Sequence, residues 1–197
     1  MLRGSRLTDR CRPGTLLAAM ALPLLVAAPP AAHAQSGGLR QQFIVRFLNQ
    51  EAPDFVLQDL SGKPVRLSDF RGRPVLVNFW YSRCMPCRAE TPDLVRLYEI
   101  HRDKGLVILG VNLDDIILPA SEGLDLQAFL QKIDVPYPVL KGDEGVFNAY
   151  GQVPAQPTTF LIDSKGIITE IFWGAKPGQV FDKAVRPYLV DGEAAHP

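Results

Sequence analysis

The chain is 197 residues long and 47% hydrophobic, and its 21 basic and 21 acidic residues give a formal net charge of zero. That length allows one good-sized core or two smaller ones. The balanced charge offers no basic surface for nucleic acid, and no internal repeat or low-complexity segment stands out.

Residues 1–34 differ in character from the rest of the chain. Arg3, Arg6, Arg10 and Arg12 make a positive start, Thr15 to Ala28 is apolar, and Ala32-His33-Ala34 places small residues before Gln35. This is the layout of a secretory signal peptide cleaved after Ala34. The alternative is an uncleaved membrane anchor. Against it, the apolar stretch is shorter than the roughly 20 residues of a spanning helix, and Pro23, Pro29 and Pro30 interrupt it. The expected location is periplasmic or otherwise exported. Cleavage removes four arginines, Asp9 and Cys11, leaving a mildly acidic chain whose remaining cysteines are Cys84 and Cys87. In an oxidising compartment such an even pair is expected to bond.

Residues 35–50 read as a Gly-containing linker, followed by a strand or short helix over Phe43–Leu48. A domain over residues 51–190 then opens with a hairpin, Ala52–Gln58 and Lys63–Leu67, around Asp59-Leu-Ser-Gly62. Ser68 or Asp69 is placed to cap a short turn before Arg71–Pro74. Val75–Tyr81 is apolar on both faces apart from Asn78, the pattern of a strand buried between layers. A helix comes next, from about Met85 to Lys104, with Pro92 inside it and Gly105 ending it. Leu106–Val111 is a second buried strand, so the three elements predict a parallel βαβ unit.

Asn112–Glu122 reads as a loop, and Leu126, Phe129, Leu130 and Ile133 as one face of a helix. Val135–Leu140, with two prolines, is limited to a sheet edge. Asp143 is expected to cap a short helix carrying Val146, Phe147 and Tyr150 and closed by Gly151. Thr158–Asp163 and Ile167–Trp173 form a hairpin around Ser164-Lys-Gly166. Pro177 opens the last helix, which turns Val180, Phe181, Ala184, Val185 and Tyr188 to the sheet, and residues 191–197 form a flexible tail. The order of parts predicts an α/β fold: a central mixed sheet flanked by helices, with an N-terminal β-hairpin extension.

The chemistry concentrates in Cys84-Met-Pro-Cys87, where a buried strand hands over to a helix. Unpaired N–H groups and the helix dipole favour negative charge there, which lowers a thiol pKa and activates the thiolate. A structural staple normally closes a longer loop, and one spanning two residues restrains the unfolded chain little. The i, i+3 spacing brings both sulfurs to one face, as a dithiol/disulfide site requires.

Val77-Asn-Phe-Trp80, Cys84-Met-Pro-Cys87, Arg88-Ala-Glu90 with Pro92, Gly110-Val-Asn112 and Gln156-Pro-Thr-Thr-Phe-Leu-Ile-Asp163, together with Ala52-Pro-Asp-Phe55 and Leu67-Ser-Asp-Phe-Arg-Gly72, resemble the thioredoxin superfamily. The particular likeness is to the exported TlpA/ResA-type thiol–disulfide oxidoreductases, across Ala52–Leu189. The resemblance implies a thioredoxin-like three-layer fold, Cys84 as nucleophile, Cys87 as resolving thiol and no cofactor beyond their disulfide. It also implies a cis bond before Pro157, with Gln156, Pro157, Thr158 and Trp80 around a substrate-docking site. Where thioredoxin carries a buried Asp, Asn78 cannot titrate. An acid/base must then come from Asp115 or its neighbour Asp114, or from Glu90.

Arg83 stands where relatives commonly carry Trp, and is expected either to stabilise the Cys84 thiolate or to remain a solvated charge. Expected partners are protein thiols and disulfides, by analogy those of apocytochrome c or copper-site proteins, and a soluble or membrane-embedded thiol donor; a monomer is expected. The alternative is a copper(I)-carrying module using the two thiolates. Related carriers use another cysteine spacing plus a histidine, and here His101 lies well down the helix and His196 in the tail. A peroxidase reading lacks its Thr-x-x-Cys pattern.

Overall fold

The computed structural model describes residues 33–118 and 124–190. The expected signal peptide up to residue 32 and the expected tail, residues 191–197, lie outside the described residues. The chain enters through helix α1 (His33–Phe47), where the sequence predicts a linker and a short element. Gly37 and Gly38 lie within it and disfavour a helix by about 1 kcal/mol each relative to alanine. Tertiary packing overrides that preference. Phe43 and Phe47, four apart and so on one face, are both buried. Phe43 meets the Trp173 ring at 5.3 Å and Phe47 the Phe160 ring at 5.9 Å.

Strands β1 (Val56–Gln58) and β2 (Pro64–Arg66) make the expected antiparallel hairpin. A 3-10 turn over Leu67–Phe70 comes next, with Ser68 and Asp69 inside it rather than capping it. The Ser68 hydroxyl is drawn off to Asp54 (2.9 Å), which leaves the turn no side-chain cap.

The site is positioned by β3 (Val75–Trp80), α2 (Met85–His101) and β4 (Val107–Asn112), with β3 and β4 parallel. Both strands are buried along their whole length, as central strands covered on two faces must be. Alternation then sorts β3: Val75, Val77 and Phe79 face one core with α1, Tyr150 and Phe160, while Leu76 faces the other with α2. Gly110 of β4 is small for a reason. A methyl group there would stand 3.2 Å from Trp80 Nε1 and 3.4 Å from the Tyr137 ring. Helix α2 runs into a 3-10 turn, Arg102–Lys104, and stops at Gly105, whose φ of +93° suits glycine.

Helix α3 (Asp114–Ile117) forms inside the stretch expected to be loop. Asn112 starts it, because its side-chain oxygen accepts the Asp114 N–H at 3.1 Å. Helix α4 (Leu124–Ile133) and edge strand β5 (Val139–Lys141) follow. Asp143 caps α5 (Glu144–Ala149) by accepting the Val146 N–H at 2.8 Å. Hairpin β6 (Thr158–Ile162) and β7 (Ile168–Trp173) adds antiparallel strands, giving the sheet order β5-β4-β3-β6-β7. Helix α6 (Gly178–Val185) packs beside α2. Pro177 is its cap, and its inner face is Phe181 and Val185. Val180 falls off that i, i+4 face and is 39% exposed, against expectation. The described elements thus make a thioredoxin-like mixed sheet between helical layers, with a small N-terminal hairpin.

Candidate active site

Cys84 is the N-cap of α2, and its sulfur accepts the Cys87 N–H at 3.1 Å. A sulfur in that position takes up one of the helix's unpaired N–H groups, a contact that strengthens when the sulfur carries charge. Cys84 and Cys87 are joined as a disulfide, with Cα atoms 5.2 Å apart. Pro86 sits in the first turn, where its missing N–H costs nothing. Around the pair, Trp80, Leu126, Phe129 and Val139 form an apolar cluster, so α4 lies against the cysteines.

The Gln156–Pro157 peptide bond is cis. Its Gln156 carbonyl oxygen lies 3.6 Å from Cys84 Sγ, which puts the start of β6 on the site's other wall. Pro157 and Thr158 are buried, and the Thr158 hydroxyl donates to Ala155 O at 2.7 Å. Gln156 is the partly accessible member of the three. Trp80 is 4% exposed and its ring packs 5.6 Å from that of Phe129. It is therefore a wall behind the disulfide rather than a surface a substrate could reach. Met85, 72% exposed, and Arg83 lie on the solvent side.

Asn78, in the middle of β3, lies opposite Thr159 and donates to its hydroxyl at 2.8 Å. The residue that cannot titrate is thus tied into the sheet. The acid/base candidates separate sharply. Glu90, one turn beyond Cys87, is 3% exposed and neither carboxylate oxygen has a hydrogen-bond partner within the protein. Burial pushes its pKa up to about 8, with the Lys176 charge opposing. Asp115 is exposed on α3. Asp114 is 2% exposed and accepts the Ser82 N–H at 2.7 Å, two residues before Cys84.

Three contributors lie beyond the residues that the sequence singles out for the site. Arg88 donates to the Ser82 carbonyl at 3.2 Å and its guanidinium lies 4.6 Å from the Phe129 ring centre. Lys176 brings a cation near Glu90 from the far end of the sheet. Phe129 itself reads from sequence only as part of one helix face. A basic residue right after the second cysteine is a visible signal; Lys176 and Phe129 have none. No group of three or more His, Cys, Asp or Glu among the described residues is placed to hold a metal. His101 is spent on Asp182 at 2.7 Å, so the copper-carrying alternative finds no third ligand there.

A paired Cys-x-x-Cys at a helix N-terminus, beside a cis-proline loop on a mixed five-stranded sheet, defines a thiol–disulfide oxidoreductase of the thioredoxin type. The model of the AhpC/TSA family matches residues 48–171, and the chain belongs to that family. Within it the likeness is to the ResA group. The thiol–disulfide oxidoreductase ResA of Geobacillus thermodenitrificans (strain NG80-2) is 41% identical over 124 residues, 62% of this chain and 67% of that protein. The thioredoxin-like protein YneN of Bacillus subtilis (strain 168) is 38% identical over 125 residues, 64% of this chain and 71% of its own length. A crystal structure of a putative thiol:disulfide interchange protein DsbE from Chlorobium tepidum superposes with a TM-score of 0.63 at 31% identity. That match covers 72% of this chain and 96% of the other.

Proposed function

We propose that the protein acts outside the cytoplasm as a reductant of protein disulfides. The observation that carries this reading is the position of Cys84: helix N-cap, sulfur on the Cys87 N–H, and 3.6 Å from the Gln156 carbonyl. In the reduced protein the Cys84 thiolate attacks one sulfur of a substrate disulfide; the other substrate sulfur leaves as thiolate and a mixed disulfide remains. Cys87 loses its proton and attacks Cys84, forming the Cys84–Cys87 disulfide and releasing the second substrate sulfur. Two electrons pass to the substrate, and a thiol donor, soluble or membrane-embedded, must return them.

Glu90 is the group we assign to the Cys87 proton. It is buried, without a hydrogen-bonding partner and near neutrality in its titration, whereas Asp115 faces solvent. The Gln156–Pro157 backbone is the surface against which an extended substrate segment would lie, and the exposed Met85 and Arg83 flank Cys84 along the chain. Arg83 supplies a positive charge next to the thiolate. Substrates of the expected kind are apocytochromes c awaiting haem or copper-site proteins, both of which need reduced thiols in an oxidising compartment.

The direct test is Cys87→Ser expressed in the exporting cell. Without its resolving thiol the protein should accumulate covalent adducts through Cys84 that dithiothreitol releases, and mass spectrometry of the released chains identifies the substrates. Absence of any disulfide-linked protein, with Cys84 present as a free thiol, would overturn the reading.

A further inference from the structure

Ser82 is fully buried and lies two residues before the nucleophile, inside a turn closed by the Cys84 N–H on the Tyr81 carbonyl at 3.1 Å. Both of its backbone polar groups are held by charged side chains from other elements. Its N–H goes to the Asp114 carboxylate of α3 (2.7 Å), and its carbonyl takes a hydrogen bond from the Arg88 guanidinium of α2 (3.2 Å). Hydrogen bonds with an ionised partner are roughly twice as strong as neutral ones. Asp114 is itself braced by Asn112, which donates to the same oxygen at 3.2 Å. Arg88 is braced by Phe129, over whose ring its guanidinium lies and which belongs with Leu126 of α4 to the apolar cluster that holds both cysteines.

Stability alone does not account for this. The second Asp114 oxygen and the Ser82 hydroxyl are buried without a protein partner, and each such group costs about 1–3 kcal/mol. An apolar turn of the same shape would avoid that cost. What the arrangement does supply is a turn fixed at both ends immediately before Cys84.

We propose that Asp114 and Arg88 are positioning residues that clamp Ser82 and so hold Cys84 in its helix-capping place, which makes its thiolate accessible at neutral pH. This rests on Cys84 being the nucleophile. The Cys84 sulfur meets the Cys87 N–H only while Cys84 keeps its extended, capping backbone (φ −72°, ψ 105°). Twisting the turn withdraws the sulfur from that donor, and the thiol then titrates more like a free cysteine. Through Arg88 the same clamp reaches α4, so the apolar wall over the cysteines and the turn beneath them are set together.

Charge and positioning predict opposite signs at Asp114, which makes the proposal testable. An anion near a thiol raises its pKa, so loss of the charge alone would lower the Cys84 pKa in both Asp114→Ala and Asp114→Asn. The clamp requires a rise instead: about one pH unit for Asp114→Ala, with attack on a disulfide at pH 7 several-fold slower. Asp114→Asn, which keeps an oxygen to accept the Ser82 N–H, should rise less. The measurement is thiolate absorbance against pH in the reduced full chain, alongside the rate of disulfide reduction.

Arg88→Lys provides a second arm should Asp114→Ala fail to fold. It keeps the charge but loses the guanidinium that lies over the Phe129 ring, and the clamp predicts that its Cys84 pKa also rises. A fall at Asp114, or a wild-type value in Arg88→Lys, overturns the clamp. If the wild-type chain itself reduces no disulfide, the oxidoreductase reading fails instead, and the two failures are distinct.

Discussion

Glu90 is a carboxyl group folded into a place where it resists ionising. Its neighbours are Tyr137, itself buried, and the Lys176 cation, which offsets only part of the desolvation. The pKa of about 8 lies above that of the unfolded chain, so the folded state holds the proton more tightly. The stability consequence has a definite sign. At low pH both states are protonated and nothing is lost; stability then falls as pH rises from the ordinary carboxylate range to about 8. The loss is bounded by roughly 5 kcal/mol. Glu90→Gln should therefore be more stable than the parent at pH 8.5 and no more so at pH 4, measured by denaturant midpoints at the two values. If Glu90 takes the Cys87 proton, the same variant should lose the limb near pH 8 in the rate of mixed-disulfide resolution. An unchanged limb would remove it from that role. The sequence makes Glu90 a candidate by its spacing from Cys87, but its burial comes from the loop after β7 and the segment before β5. Neither is near it in sequence.

Helix α1 shows where local signals mislead. Its glycines and polar start argue for a linker, and its stability comes from two rings set into an aromatic cluster of Phe79, Tyr150 and Phe160. Phe47→Ala should cost about 3 kcal/mol, read as a drop in thermal midpoint, while the folded fraction keeps its exchange activity because the cluster lies across the sheet from α2. A loss under 1 kcal/mol would mean that α1 is not part of the cooperative unit. Helix α5 is the opposite case. Asp143, the buried i, i+4 pair Val146 and Tyr150, and Gly151 sit within a few residues of one another, so its cap and end were legible from local chemistry. Helix α4 was legible as a helix, but not as the cover of the cysteines. Its amphipathic pattern says that one side is buried and does not say against what.

On the scale of the whole molecule, the expected processing is cleavage after Ala34. Processing there would leave Phe43, Phe47 and every residue of the site in place. No helix among the described residues is long and apolar enough to cross a membrane. If the leader is cleaved as its layout leads one to expect, N-terminal sequencing of the protein recovered from the exporting cell should begin at Gln35. A chain that keeps Met1 and sediments with membranes would establish the anchored alternative.

The sequence by itself determined the parts whose cause is local or periodic. The two strands that are apolar on both faces apart from Asn78 had to be central, the helix between them made them parallel, and the cysteines after the first of them had to meet a helix N-terminus. The tertiary structure decided everything that depends on distant segments meeting. It placed the Gln156 carbonyl beside Cys84, buried Trp80 under Phe129, tied Asn78 to Thr159, and put Asp114 and Arg88 on the two ends of one peptide residue. Spacing along a chain fixes what lies on one face of an element. Which charge, ring or carbonyl faces it across the sheet is set by how the elements pack, and the reactivity of a thiol depends on that second set of neighbours.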